Sequence, residues 1–505
     1  MTAARENFGR LLLAEWTKLR SVRRWVITLF GVAVLTVGIS VLAANGGSTD
    51  INKQPNFVTG PDGSPVSDGM EFVHQPIAGD GVITVRVASL GKPPEENPGR
   101  GMNPDFKSLP VGPWGGAGVI IKDGTRAGSA YASVLLTPTH GVRMQSNYTT
   151  DLAGSDGGGP RWLRLSRTGE KIIGSESADG TTWRKIGELT VPGLPRDAEM
   201  GMFVSAEPEM RLMRQAGGTS VGGHPGKAVA TFDNLQFSAA SGEWRDDRVD
   251  MPIPEPDGPP VHGTDGPQGS VTEANGTYTI MGGGKIGPEV PPDDMVQISL
   301  FGVIAGLMAL IAISVLFATS EYRRGMIRTT FLASPRRGRV LAAKAIVLGG
   351  VTYLIGLAAA VTAFLITQPV LREHGFAPPA FAKESLTDPT VIRTLLLTAA
   401  FMAGVAVFSL AVGTIMRRSA AAITTVIVLV ILPVIVGSLL QAAPARWLMH
   451  VTLAGGFATQ RAKPPSDTLV EPWSMIGPWT GLAVTVAYAG AALLLAWWLL
   501  RRRDA

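Results

Sequence analysis

The sequence predicts a mixed membrane protein, a six-helix α-helical transmembrane domain plus an extracellular all-β sandwich inserted between transmembrane helices 1 and 2. Three observations carry this reading. Six long apolar blocks are almost free of charge, Lys and Arg gather in alternate connections between them, and residues 46–295 read as short strands and turns.

A helix needs about 20 apolar residues to cross a hydrocarbon core of roughly 30 Å, and a central charge is costly there. Val26 to Ala44, Gln297 to Ala318, Leu341 to Leu365, Leu395 to Met416, Ala420 to Leu440 and Trp479 to Leu500 meet that requirement. Only Lys344, near the start of the third block, is charged. A signal peptide competes for the first block, because a basic tail precedes it and Ala43 and Ala44 stand near its end. Its length favours an uncleaved anchor, since signal-peptide apolar regions run to about 7–15 residues.

Connections facing the cytoplasm are enriched in Lys and Arg. Arg5, Arg10, Lys18, Arg20, Arg23 and Arg24 precede block one, and Arg323, Arg324, Arg328, Arg336, Arg337, Arg339 and Lys344 lie at the join of blocks two and three. Arg417 and Arg418 separate blocks four and five, and Arg501, Arg502 and Arg503 follow block six. The other connections carry mixed charge, as in Arg372, Glu373, Lys383, Glu384 and Asp388. The expectation is a multi-pass protein of the plasma membrane with both termini cytoplasmic and residues 46–295 extracellular. The net charge of +5 sits beside the apolar blocks and is read as topology, so no nucleic-acid partner is expected. With no cysteine, an exported domain relies on its own core.

In residues 46–243, β-branched or aromatic runs alternate with Gly, Pro, Asn and Asp: Val82 to Val87, Gly118 to Ile121, Ala130 to Leu136, Trp162 to Ser166, Lys171 to Ser175, Trp183 to Ile186 and Ala228 to Phe237. Strands at such spacing predict a two-sheet sandwich. Asp179-Gly180 suits a hairpin turn, and Trp183 is expected to return as a core anchor. Core packing is likewise favoured over a ligand platform for Trp162, while Trp114 is left open. Residues 244–295 read as a linker, stiff at Pro252 to Pro260, with one extra hairpin over Gly269 to Ile280 that is either an added edge or part of a second sandwich. Asn147-Tyr-Thr and Asn275-Gly-Thr match the glycosylation sequon, a weak signal.

Catalysis is not expected. No phosphate loop of the GxxxxGK[ST] pattern is present, the His residues are scattered without metal-ligand spacing, and Glu207-Pro-Glu209 is a poor carboxylate pair because its proline interrupts a regular strand. No span carries a central ionisable residue to serve as a proton relay, which favours energy from a partner.

In the tail, residues 1–24, Phe8, Leu12, Trp16 and Leu19 recur at helical spacing with Arg10, Thr17 and Arg20 largely opposite, which predicts an interfacial amphipathic helix ahead of the first transmembrane helix at 25–45. Glu15 falls near the apolar stripe and is expected to pair with Lys18 or with a basic residue of the loop 320–340. Gly302 and Gly306, and Gly356 with Ala360, have the spacing that allows close helix packing. Pro433 is expected to kink the fifth span. Beyond span two, Tyr322 and Met326 share one helical face and Arg324 and Arg328 another, the division a docking helix needs, and Pro335 would end that helix.

The run Trp162-Leu-Arg-Leu-Ser-Arg-Thr-Gly-Glu-Lys, then Ser177-Ala-Asp-Gly-Thr-Thr-Trp183, resembles the central meander of concanavalin-like, laminin-G-like sandwiches, and Ala230-Thr-Phe-Asp-Asn-Leu235 resembles their closing strand. Such domains bind sugars or proteins. The segment Ser320-Glu-Tyr-Arg-Arg-Gly-Met-Ile-Arg-Thr-Thr-Phe-Leu-Ala-Ser-Pro-Arg-Arg-Gly-Arg-Val-Leu-Ala-Ala-Lys344, with Ala14-Glu-Trp-Thr-Lys-Leu-Arg20 before span one, resembles ABC-2-type transporter permeases. That resemblance covers the tail and residues 296–505. It implies a non-enzymatic transport subunit that pairs with a second permease copy or homologue, as a homodimer, within membrane lipid. It also implies separate ATP-binding-cassette ATPase subunits that hold the ATP and Mg, with no cofactor in this chain. Within the loop 320–340 it assigns Glu321, Tyr322, Arg323, Arg324, Gly325, Met326, Ile327 and Arg328 to a coupling helix that touches the ATPase. The alternative is a membrane-anchored carbohydrate- or protein-binding receptor that uses the sandwich.

Overall fold

The computed structural model describes residues 8–53, 57–93, 111–157, 159–215, 218–224, 226–238, 242–250, 252–253, 261–262, 269–289, 291, 293–323, 337–466, 469 and 471–502. Two helices open the chain, α1 (Phe8–Ser21) and α2 (Arg23–Asn45). The strands then follow as β1 (Val66–Asp68), β2 (Met70–Ala78), β3 (Gly81–Gly91), β4 (Gly116–Lys122), β5 (Tyr131–Thr137), β6 (Gly141–Ser146) and β7 (Thr150–Ala153). Next come β8 (Arg161–Thr168), β9 (Lys171–Ser177), β10 (Arg184–Thr190), β11 (Asp197–Ser205), β12 (Glu209–Gln215), β13 (Gly218–His224) and β14 (Ala228–Ser238). The last are β15 (Arg245–Val249), β16 (Pro252–Ile253), β17 (Val261–His262), β18 (Ser270–Ala274), β19 (Thr277–Gly282) and β20 (Ile286–Pro288).

Two seven-stranded antiparallel sheets hold most of these strands, in the orders β10-β9-β8-β3-β14-β19-β18 and β15-β2-β11-β4-β5-β6-β7. Their facing sides bury Val85, Val119, Val134, Leu163, Met202 and Phe232. Alternation explains the choice of face. In β8, Leu163 and Leu165 point inward, so Trp162, Arg164 and Ser166 point out. The hairpin β18–β19, whose place the sequence left open, extends the first sheet beside β14, and β15 edges the second. The second sheet is also covered on its outer face, where Phe72, Ile120, Tyr131, Tyr148 and Phe203 form a smaller core.

The remaining helices are α3 (Met295–Ser299), α4 (Val303–Arg323), α5 (Arg337–Glu373), α6 (Pro389–Met416), α7 (Ser419–Leu439), α8 (Ala442–Val451) and α9 (Pro478–Arg502). Among the described residues, six helices (α2, α4, α5, α6, α7 and α9) are long and apolar enough to cross a membrane. The most enclosed is α6, which Pro389 starts and which Arg417 ends in the left-handed conformation.

The second block differs from the single span expected from Gln297. A short α3 precedes α4, and the chain turns between them at Leu300 to Gly302. There the Gly302 amide donates to Ser40 Oγ at 3.0 Å, and a Cβ at Gly302 would overlap the Thr36 carbonyl oxygen, so the backbone is drawn onto α2. Between α7 and α9, where the sequence suggested no element, α8 is followed by 3-10 turns at Leu453–Gln460 and Pro472–Met475. Pro433 lies within α7, which runs on past it to Leu439.

Candidate partner-coupling site at the basic end

Four helices meet at one buried ion pair. On α1, Glu15 and Leu19 are four residues apart and form its buried face, with Phe8 and Leu12 half-buried. The Glu15 carboxylate accepts from Lys18 Nζ at 2.9 Å through Oε1 and from Lys344 Nζ, on α5, at 2.9 Å through Oε2. Glu15 and Lys344 are 2% and 6% exposed, so each depends on the other for its charge to be tolerated. Lys344 Nζ also lies 5.0 Å from the centre of the Phe317 ring on α4, and Phe317 meets Trp25 of α2 edge to face. Of the expected partners of Glu15, Lys18 is present; the second partner is Lys344 within α5, beyond the loop 320–340.

The same end is tied across the bundle. Arg337 Nη1 donates to the Leu500 carbonyl at 2.9 Å, a Cβ at Gly338 would lie 2.6 Å from the Trp497 ring, and the Arg501 guanidinium lies 3.9 Å from the centre of that ring. The start of α5 is therefore held by α1 and by α9. Glu321, Tyr322 and Arg323 are the last residues of α4. Arg324, Gly325, Met326, Ile327, Arg328 and Pro335 lie outside the described residues.

The expected packing glycines sit at close helix approaches. Gly306 faces Thr36 of α2 and, like Gly302, has no room for a side chain. Gly356 lies on α5 opposite Met402 and Ala399 of α6, and Ala360 one turn on is fully buried. Trp16, on the apolar stripe of α1, is 44% exposed.

A second junction, unforeseen in the sequence, joins the β domain to the bundle. Asp294 caps α3, with Oδ1 accepting from the amides of Val296 and Gln297 and Oδ2 from those of Ala462 and Lys463. Lys463 Nζ donates to the carbonyls of Pro291 and Asp293. Arg461, 1% exposed, donates to Pro464 O and Gln297 Oε1, while Arg393 Nη2 holds the carbonyls of Arg461 and Ala462. Burial pushes both Arg461 and Lys463 below their ordinary values, and Asp294 opposes the shift.

On the sandwich, Trp162 and Trp183 are not core anchors. Both are half-buried on the outer face of the first sheet, since Trp162 alternates with inward Leu163 and packs on the Gly180 turn. Trp183 carries the Arg164 guanidinium 3.7 Å above its ring. Asp179 accepts from the amides of Thr181 and Thr182, which hold its carboxyl well below the carboxylate range and make it a turn residue. Trp114 is 40% exposed and stacks on His140 at 4.1 Å. Burial raises the Glu207 carboxyl nearby, against Lys285, the Trp114 amide and His140. Among the described residues no group of three His, Asp or Glu is placed to hold a metal.

A family model described as "Protein of unknown function (DUF2705)" matches residues 287–505. No curated protein matches the chain. Among solved structures, a functionally unknown protein from Saccharomyces cerevisiae is 12% identical over 34% of this chain and 74% of its own, with a TM-score of 0.20. A GH43 protein from Bacillus licheniformis is 14% identical over 32% of this chain and 27% of its own, with a TM-score of 0.19.

Proposed function

We propose that this chain is the permease subunit of an ATP-binding-cassette exporter, working as a dimer and driven by ATP that separate ATPase subunits hydrolyse. The observation that carries the reading is the buried Glu15–Lys344 pair. It clamps the amphipathic α1 against the base of the basic loop 320–340, at the end of the bundle where Arg and Lys concentrate. A partner pushing on that loop would act on α1, α4, α5 and α9 together, because each is tied there. By the charge rule this end is cytoplasmic and the sandwich is extracellular. The test is copurification of the tagged full-length chain with an ATP-binding-cassette ATPase from its native cells. Loss of the ATPase in Arg324→Glu or Met326→Asp, with the chain still in the membrane, is expected; retention in both variants would refute the coupling role.

A receptor reading is favoured by one observation, the Trp114–His140 stack standing open on the sandwich. Aromatic faces of this kind take sugar rings or protein side chains. Binding of the full-length chain to a glycan array, lost in Trp114→Ala, with no ATPase recovered from cells, would replace the exporter reading.

A further inference from the structure

The bundle has an apolar groove walled by α1, α2 and α5, with a volume of about 900 Å³. Its walls are aliphatic and aromatic along α2 from Val26 to Gly38, thirteen residues whose twelve steps rise about 18 Å. One leaflet of hydrocarbon is about half of the roughly 30 Å core, so the groove is about one leaflet long. At one end stand Trp16 and Arg20; apart from Thr362, Arg20 is the only polar residue in the lining. Arg20 is exposed and makes no hydrogen bond or ion pair among the described residues.

We infer that this groove holds one acyl chain of a phospholipid with a net negative headgroup, whose phosphate is bound by Arg20. The chemistry matches at both ends. A guanidinium presents paired donors to phosphate oxygens, a Trp beside it suits the polar boundary of the bilayer, and the remaining wall offers only apolar contact. A second copy of the chain fits less well. A twofold contact through this face would bring the two Arg20 guanidinium groups toward each other with no acid between them. The site lies behind the Glu15–Lys344 clamp, on the side of α1 that carries Trp16, and it requires only that the helices span a bilayer, not that the chain exports.

The test uses the full-length chain in nanodiscs of equal parts phosphatidylglycerol and phosphatidylcholine, with native mass spectrometry of the lipid retained. Phosphatidylglycerol is expected to be kept in preference, and Arg20→Gln should weaken that preference about fivefold, the worth of one basic contact with an anionic headgroup. Gly38→Phe supplies a second arm. A Cβ at Gly38 meets nothing within 4 Å, so the ring would enter the groove without disturbing the packing. Thermal unfolding should then stay unchanged while retained lipid falls. Equal retention of the two lipids by the wild type, or undiminished retention in Gly38→Phe, would mean ordinary boundary lipid and overturn the assignment. So would a disulfide between two chains carrying Phe30→Cys, a clean readout because the protein has no cysteine of its own.

Discussion

Two buried lysines, one in each half of the molecule, solve the same electrostatic problem differently. In the sandwich, Lys122 is fully buried and donates to Asp68 Oδ2 at 2.6 Å, to Ser129 O and to Tyr148 Oη. Asp68 Oδ2 also accepts from Tyr148 Oη and the Gly128 amide. Burial pushes the Lys122 ammonium down, and Asp68 opposes that. In the bundle, the partners of Lys344 include a carboxylate from a separate helix and the face of a Phe ring. The first lysine, on β4, is sealed beneath β1, a strand of a separate two-stranded sheet, and the loops that carry Ser129 and Tyr148. The second secures an element, α1, that no sheet holds. Loss of the first pair should therefore unfold a domain, and loss of the second should release a helix.

The largest effect that would break this contrast is in the sandwich. Asp68→Ala leaves Lys122 charged or desolvated without its acid and should destabilise the β domain by about 3–5 kcal/mol, measured by denaturant unfolding of the full chain. An effect under about 1 kcal/mol would mean that water reaches the site. Glu15→Ala is expected to cost less, about 1.5–3 kcal/mol, and only locally. Far-UV signal and the main melting transition should persist, while protease cleaves within residues 8–21 and transport or assembly falls. An unchanged rate and assembly would show that the clamp carries no force.

How far each region was legible follows from how local its cause is. The six long apolar helices could be read to within eight residues at each end because length and apolarity are written into the chain itself. The strands that were read, such as Val82 to Val87 inside β3, carry β-branched runs. The strands β2 and β11 lack such runs and exist because neighbours flank them, with Gly201 allowing close approach to Val73. Trp162 and Trp183 were misread because a tryptophan next to a turn suits either side of a sheet, and only the inward register of Leu163 and Leu165 decides the face. At the basic end, Glu15 stood out as an acid near an apolar stripe. Lys344 was visible as the single charge within six apolar blocks and as one of the basic residues at the join of blocks two and three, and that they meet across 329 residues depends on helix packing.

A pH scan sharpens the contrast from a second carboxylate in the sandwich. Glu71 on β2 points between the sheets, where Gly269 and Gly282 leave it room. Burial and then the nearby Asp246, with Asp247, push its carboxyl up to about 7, with Arg248 opposing. A carboxyl raised on folding binds its proton more tightly in the folded state. Its contribution to stability is thus complete below about 4.5, the unfolded value, and is lost as pH rises toward about 7. Glu71→Gln should remove that component, so the variant gains stability relative to wild type as pH increases across the window. Parallel pH profiles for the two proteins would show that Glu71 stays ionised throughout.

The smallest expected effect tests the face of the sandwich against its interior. Trp183 lies outside the core between the sheets, so Trp183→Ala should cost about 0.5–1 kcal/mol through the lost stacking with Arg164, far less than the 3–5 kcal/mol typical of a buried tryptophan. Urea unfolding distinguishes the two values. A loss above about 3 kcal/mol would return Trp183 to a packing role. The small loss would leave a stacked Trp–Arg pair on an open sheet face that stability alone does not require, and the same variant then measures whether that face contributes to ligand capture.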